Sequence, residues 1–142
     1  MKREESLGFL FNHVARLLVR KLHDRISPLG VVPGQFVQLM VLYERDGMTQ
    51  QELSEVVGIE QPTMANTLAR MERDGLVERR DHPTDGRKQI IVLTEKSRAL
   101  RGQLIEAARS VNAQATGGLS EADRSALLRL ITEVKTNLDR PH

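Results

Sequence analysis

From Ser6 to about Ser27 the apolar residues Leu7, Leu10, Phe11, Val14, Leu17, Leu18, Leu22 and Ile26 recur every three or four positions, which predicts a long amphipathic helix ended by Pro28 and Gly30. A second helix is predicted from Pro33 to about Arg45, with Phe36, Leu39, Met40, Leu42 and Tyr43 on its buried side and Asp46-Gly47 as its stop. The stretch Thr49 to Val77 then reads as two short helices joined by a tight turn. Thr49 and Glu52 have the spacing of a capping box, and Met48 is placed to pack on Leu53 as a hydrophobic staple. Leu53, Val56 and Val57 form the expected buried stripe, and Gly58 supplies the left-handed residue that ends the helix. After the turn Gly58-Ile59-Glu60, the next helix starts near Gln61 with Pro62 in its first turn and runs to Asp74, stopping at Gly75. Met64, Leu68 and Met71 fall on one face of it, with Ala65 beside them, and Thr63, Asn66, Arg70 and Arg73 fall opposite.

Beyond Gly75 the periodicity changes. Leu76 to Arg80 and Gln89 to Leu93 have strand-like content, and between them Asp81 to Lys88 carries the turn formers His82-Pro83 and Asp85-Gly86. A two-stranded hairpin follows, its tip longer than a hairpin needs and bearing Arg87 and Lys88. Thr94 is placed to cap a helix through Ala99, Leu100, Leu104, Ile105, Ala108 and Val111 to about Ala115. Gly117-Gly118 breaks it, and Ser120 with Asp123 opens a last helix whose apolar positions include Leu127, Leu128, Leu130, Ile131, Val134 and Leu138. The fold class expected is mainly α with a small β-hairpin wing: a winged helix-turn-helix over residues 33–94, flanked by a helical dimerisation region made of residues 1–32 and 95–142.

A helix face of hydroxyl, amide and guanidinium groups, held from behind by Met and Leu, suits the floor of a DNA major groove. Asn pairs with adenine, Arg with guanine, and the Thr methyl and hydroxyl meet a thymine methyl or a phosphate. Taken alone, such a face is the wet side of an ordinary amphipathic helix; the turn before it and the wing after it shift the balance. The first and the last two helices carry more apolar surface than a small winged helix can cover, which points to a dimer with two reading helices roughly 34 Å apart on a palindrome.

Composition sharpens this only by exclusion. The 142 residues are about one domain, 39% hydrophobic and 28% charged, with a formal net charge of +2 that is too small to argue nucleic-acid binding by itself. Over residues 60–90, Arg70, Arg73, Arg79, Arg80, Arg87 and Lys88 are balanced by Glu60, Glu72, Asp74, Glu78, Asp81 and Asp85, so arrangement rather than surplus must attract DNA. The absence of cysteine excludes disulfides and thiolate metal sites. His13, His23, His82 and His142 stand at no metal-ligand or triad spacing, and neither a glycine-rich phosphate loop nor a nucleophile elbow is present. Neither an enzyme nor a bound cofactor or metal is expected. Arg16, Arg20, Lys21 and Arg25 read as a solvated face of the first helix. With no signal-like run and no uncharged stretch of roughly 20 residues, a cytoplasmic protein without a membrane partner is expected.

The series Gly58-Ile59-Glu60-Gln61-Pro62-Thr63, then Leu68 with Met71-Glu72, Asp74-Gly75-Leu76-Val77, Asp85 with Arg87, and Leu93-Thr94-Glu95-Lys96 resembles the MarR/SlyA family of bacterial transcriptional regulators, over nearly the whole chain. That resemblance implies a homodimer with intertwined terminal helices and a recognition helix in the major groove, here carrying Gln61, Pro62, Thr63, Asn66, Thr67, Arg70 and Arg73. It also implies a wing formed around Asp85, Arg87 and Lys88, in which Arg87 enters the minor groove while Asp85 shapes the tip. A repressor on a palindromic double-stranded operator, released by a small aromatic acid or phenolic effector, is the implied function. Many relatives have a basic residue where Asn66 stands and arginine where Gly86 stands, so the base contact and the wing charge differ here. The alternative is a winged helix used as a protein-interaction module, which the same fold supports; the polar outward face of residues 61–74 argues against it.

Overall fold

The computed structural model describes residues 1–141; His142 lies outside the described residues. Within the described residues six α-helices and a small sheet follow one another. Helix α1 (Leu7–Ile26) is capped by Ser6, whose hydroxyl accepts from the Phe9 amide, and a 3-10 turn at Ser27–Leu29 leads to α2 (Pro33–Glu44). A two-residue strand β1 (Met48–Thr49) runs directly into α3 (Gln50–Val57), the turn at 58–60 into α4 (Gln61–Arg73), and the hairpin β2 (Val77–Asp81) and β3 (Gln89–Leu93) into α5 (Glu95–Ala115) and α6 (Glu121–Asp139). The expected class, mainly α with a small β wing after a helix-turn-helix, is the one found. Thr94 and Ser120 cap α5 and α6 by accepting from the Ser97 and Asp123 amides.

The sheet has three strands, in the order β1-β3-β2, all antiparallel. Only the hairpin was expected. Met48 pairs with Ile91 and Thr49 with Ile90, but two residues are too few to show the period-two alternation by which a strand announces itself. The strand ends also shift by one residue: Leu76 is buried ahead of β2, and Asp81 extends it.

The core joins α2, α3, α4 and the sheet, with Leu39, Leu42, Leu53, Met64, Leu68, Met71, Leu76 and Ile91 all fully buried and Met48 nearly so. Val56 does not belong to it. It is 62% exposed, and the serine beside Leu53, Ser54, is buried instead. The covered stripe of this short helix is centred between Leu53 and Ser54, with Gln50 and Val57 on it, and Val56 lies on the far side of Leu53 from Ser54, beyond its edge.

Helix α5 crosses α1. Arg25 donates to Ser110 Oγ (3.1 Å) and to Gln114 Oε1 (2.7 Å), so this arginine ties two helices together and does not belong to a freely solvated face. Helix α6 buries none of its residues, and Leu128 (68% exposed) and Leu138 (80%) project outward, as do Leu7, Phe9, Leu10 and Val14 of α1. Among the described residues, no single helix is long and apolar enough to cross a membrane.

Candidate nucleic-acid interface

The turn between α3 and α4 is built as the residues dictate. Thr49 Oγ1 accepts from the Glu52 amide (3.1 Å) while Glu52 Oε1 accepts from the Thr49 amide (3.2 Å), a complete capping box, and the carboxyl of Glu52 is held below the usual range mainly by that backbone bond. Gly58 adopts φ 79°, the left-handed conformation that lets the chain leave α3 at no side-chain cost. The far end of α4 is clamped from two sides: Gln35 of α2 donates to Asp74 Oδ2 (2.8 Å), and Lys96 of α5 donates to the Asp74 carbonyl (2.9 Å). Ser97 Oγ and Thr94 Oγ1 close the following turn by donating to the carbonyls of Leu76 and Gly75. The helix is therefore a fixed rod, and Met64, Leu68 and Met71 beneath it are fully buried.

On the other side Gln61, Pro62, Thr63, Asn66, Arg70 and Arg73 are all exposed. Arg70 makes no side-chain hydrogen bond or ion pair among the described residues, and Arg73 has only a loose approach to Asp74 Oδ1 at 3.7 Å. Thr67 differs. It is half-buried, and its hydroxyl donates back to the Thr63 carbonyl (3.0 Å), leaving a methyl and an acceptor to offer.

The wing tip is folded by its own side chains. His82 Nδ1 accepts from the Thr84 amide (3.2 Å) and the Asp85 amide (3.1 Å), which leaves the ring proton on Nε2. Asp85, half-buried, accepts at Oδ1 from the Arg87 amide (3.1 Å) and from Arg87 Nε (3.4 Å); the backbone bond is the main reason its pKa lies below the ordinary 3.8. Arg87 itself is 93% exposed at the side chain, and Lys88 is exposed beside it. Asp85 thus shapes the turn while the two cations project from it.

Two residues that the sequence reading did not single out join the wing to the helices. Arg79 of β2 donates Nε to Glu72 Oε1 of α4 (2.5 Å) and Nη1 to Gln50 Oε1 of α3 (3.4 Å), and Gln50 Nε2 donates to Gln61 Oε1 (3.0 Å). These pairs are 7, 29 and 11 residues apart, and no local pattern announces them.

Away from this face, an open groove of about 700 Å³ runs between α1 and the start of α2, lined by Ala15, Val19 and Pro33 with Asn12, Arg16, Arg20, His23 and Gly34. Among the described residues, no cluster of three or more His, Asp or Glu side chains is placed to hold a metal ion.

The model of the MarR family matches residues 32–88, the segment from α2 to the wing. Among solved structures, a MarR transcriptional regulator from Methanosarcina mazei Go1 is 25% identical, with a TM-score of 0.86 over 92% of this chain and 94% of that one. The transcriptional repressor CouR, solved bound to a 23-mer DNA duplex, is 26% identical with a TM-score of 0.85 over 93% and 94%. A mutant MarR from E. coli, complexed with operator DNA, is 26% identical with a TM-score of 0.83 over 90% and 92%. With its helix-turn-helix, its wing and these likenesses together, residues 32–88 are a MarR-family domain, and the chain is a DNA-binding transcriptional regulator.

Proposed function

We propose that this chain is a homodimeric repressor that reads a palindromic double-stranded operator with α4 in the major groove and the wing in the adjacent minor groove. The observation that carries the reading is the exposed polar face of α4, backed by three fully buried side chains and flanked by a wing whose Arg87 projects almost free of the protein. Asn66, Arg70 and Arg73 are the donors and acceptors offered to base edges, with Gln61, Pro62, Thr63 and Thr67 at the entering end. Arg87 and Lys88 meet the phosphates or the minor groove, and Asp85 keeps the tip in shape.

Residues 33–94 form the DNA-reading region, and residues 1–32 with 95–142 the dimerising one. What supports the dimer is apolar surface: α6 and the first half of α1 leave Leu7, Leu10, Leu128, Leu130 and Ile131 exposed to water, and large exposed apolar patches mark interaction sites. An aromatic acid is the effector class we assign, at the groove beside α1, where Arg16, Arg20 and His23 border an apolar floor of Ala15, Val19 and Pro33. Binding there would act on the junction of α1 and α2, and so on the spacing of the two reading helices.

The reading is tested by titrating the protein against promoter DNA at two salt concentrations. A DNA reader weakens steeply as salt rises, because each neutralised phosphate releases counterions. Affinity that ignores both salt and sequence would refute it.

A further inference from the structure

We propose that Gln61 reads an adenine edge in the major groove, and that Gln50 is the positioning residue that holds its amide for the task. The inference rests on the DNA-reading function proposed above and extends it to a base. Gln61 is the first residue of α4 and exposed; Gln50 is the first residue of α3 and half-buried. N-terminal residues of a recognition helix are those that reach base edges.

The orientation of both amides follows from Arg79. A guanidinium has donors and no acceptor, so Gln50 must turn its oxygen to Arg79 Nη1, which lies 3.4 Å away. Its amino group then faces Gln61, where it donates to Oε1 at 3.0 Å and lies 3.5 Å from the Gln61 carbonyl. Gln61 must in turn present its oxygen to Gln50, and neither amide is left free to flip. Arg79 is anchored beyond them by Glu72.

One lone pair of Gln61 Oε1 is used by Gln50. One lone pair and both N–H groups remain. A donor and an acceptor side by side match adenine, whose major-groove edge offers an N7 acceptor beside an N6 donor; guanine offers two acceptors and would face the amide oxygen with its own O6. Gln50 touches no base in this arrangement. It removes rotamer freedom from Gln61 before DNA arrives, so its contribution appears as selectivity at one base pair rather than as affinity for DNA at large.

The test is sequencing of duplexes selected from a pool randomised across the half-site, with wild type, Gln61→Ala, Gln50→Glu, Gln50→Ala and the double Gln50→Ala/Gln61→Ala, each first shown to be folded by circular dichroism. Wild type is expected to prefer adenine by about tenfold at one base pair per half-site, the pair that Gln61→Ala flattens. Gln50→Glu keeps the shape and loses the donor, and should lower the adenine preference at that same pair; Gln50→Ala should do likewise if the carboxylate variant does not fold. The double variant should lose no more than Gln61→Ala alone, the signature of residues acting as a unit. A different base at that pair, Gln50 variants that rescale all sequences alike, or a Gln61→Ala loss spread evenly over every sequence would overturn the assignment. A wild type that enriches no sequence at all would remove the DNA-reading function itself, whereas enrichment without the adenine removes only this inference.

Discussion

Arg70 and Arg87 bring the same guanidinium to different surroundings. Arg70 stands on a clamped helix and has no partner of its own among the described residues, so Arg70→Ala should cost roughly 1–3 kcal/mol of operator binding and relax the sequence preference, as read by competition between operator variants. Arg87 stands on a short hairpin, and Arg87→Ala should weaken binding to many sequences alike and reduce the salt slope by about one. Asp85 adds a pH dependence. Its folded pKa lies below its ordinary 3.8, so its hold on the wing tip is fully present above that value and is lost as pH falls through the lower folded value. The Arg87 amide should therefore keep its protection from pH 8 to about 5 and lose it only in acid, which amide exchange followed by NMR would show. The outward residues of α4 were legible in the sequence because helical period alone sorts them from Met64, Leu68 and Met71. Gln50 and Arg79 were not, since their bonds join three elements that only the folded chain brings together.

At the scale of elements, the helices were readable because each carries its own start and stop in adjacent residues. The Thr49 and Glu52 box, the Gly58 exit, and the Thr94 and Ser120 caps are all made as their spacing predicts. Strand β1 was missed because it borrows its identity from β3, and Val56 was misplaced because the covered stripe of α3 is centred between Leu53 and Ser54 and leaves Val56 beyond its edge. Within α4, Leu68→Ala should destabilise the fold by about 2–5 kcal/mol in urea unfolding, since the side chain is fully buried and its removal opens a cavity under the helix. Thr49→Ala should cost about 1 kcal/mol by the same measurement, through the loss of the cap alone.

For the whole molecule, what a single chain leaves uncovered is the first concern. Helix α6 buries none of its residues, and its exposed leucines are the positions that helical period assigned to an interior. We propose that a second chain supplies that interior. Leu130→Asp with Leu128→Asp should then yield monomers in sedimentation equilibrium, and these should lose operator affinity although residues 33–94 remain folded. The clearest single measurement is an anisotropy titration of a labelled duplex carrying an inverted repeat, against the same duplex with one half-site scrambled, over rising salt. Two chains per intact duplex, a marked loss of affinity on scrambling, and a log-linear fall with salt are expected. One chain per duplex, or equal affinity for the scrambled site, would contradict the paired reading of DNA by α4.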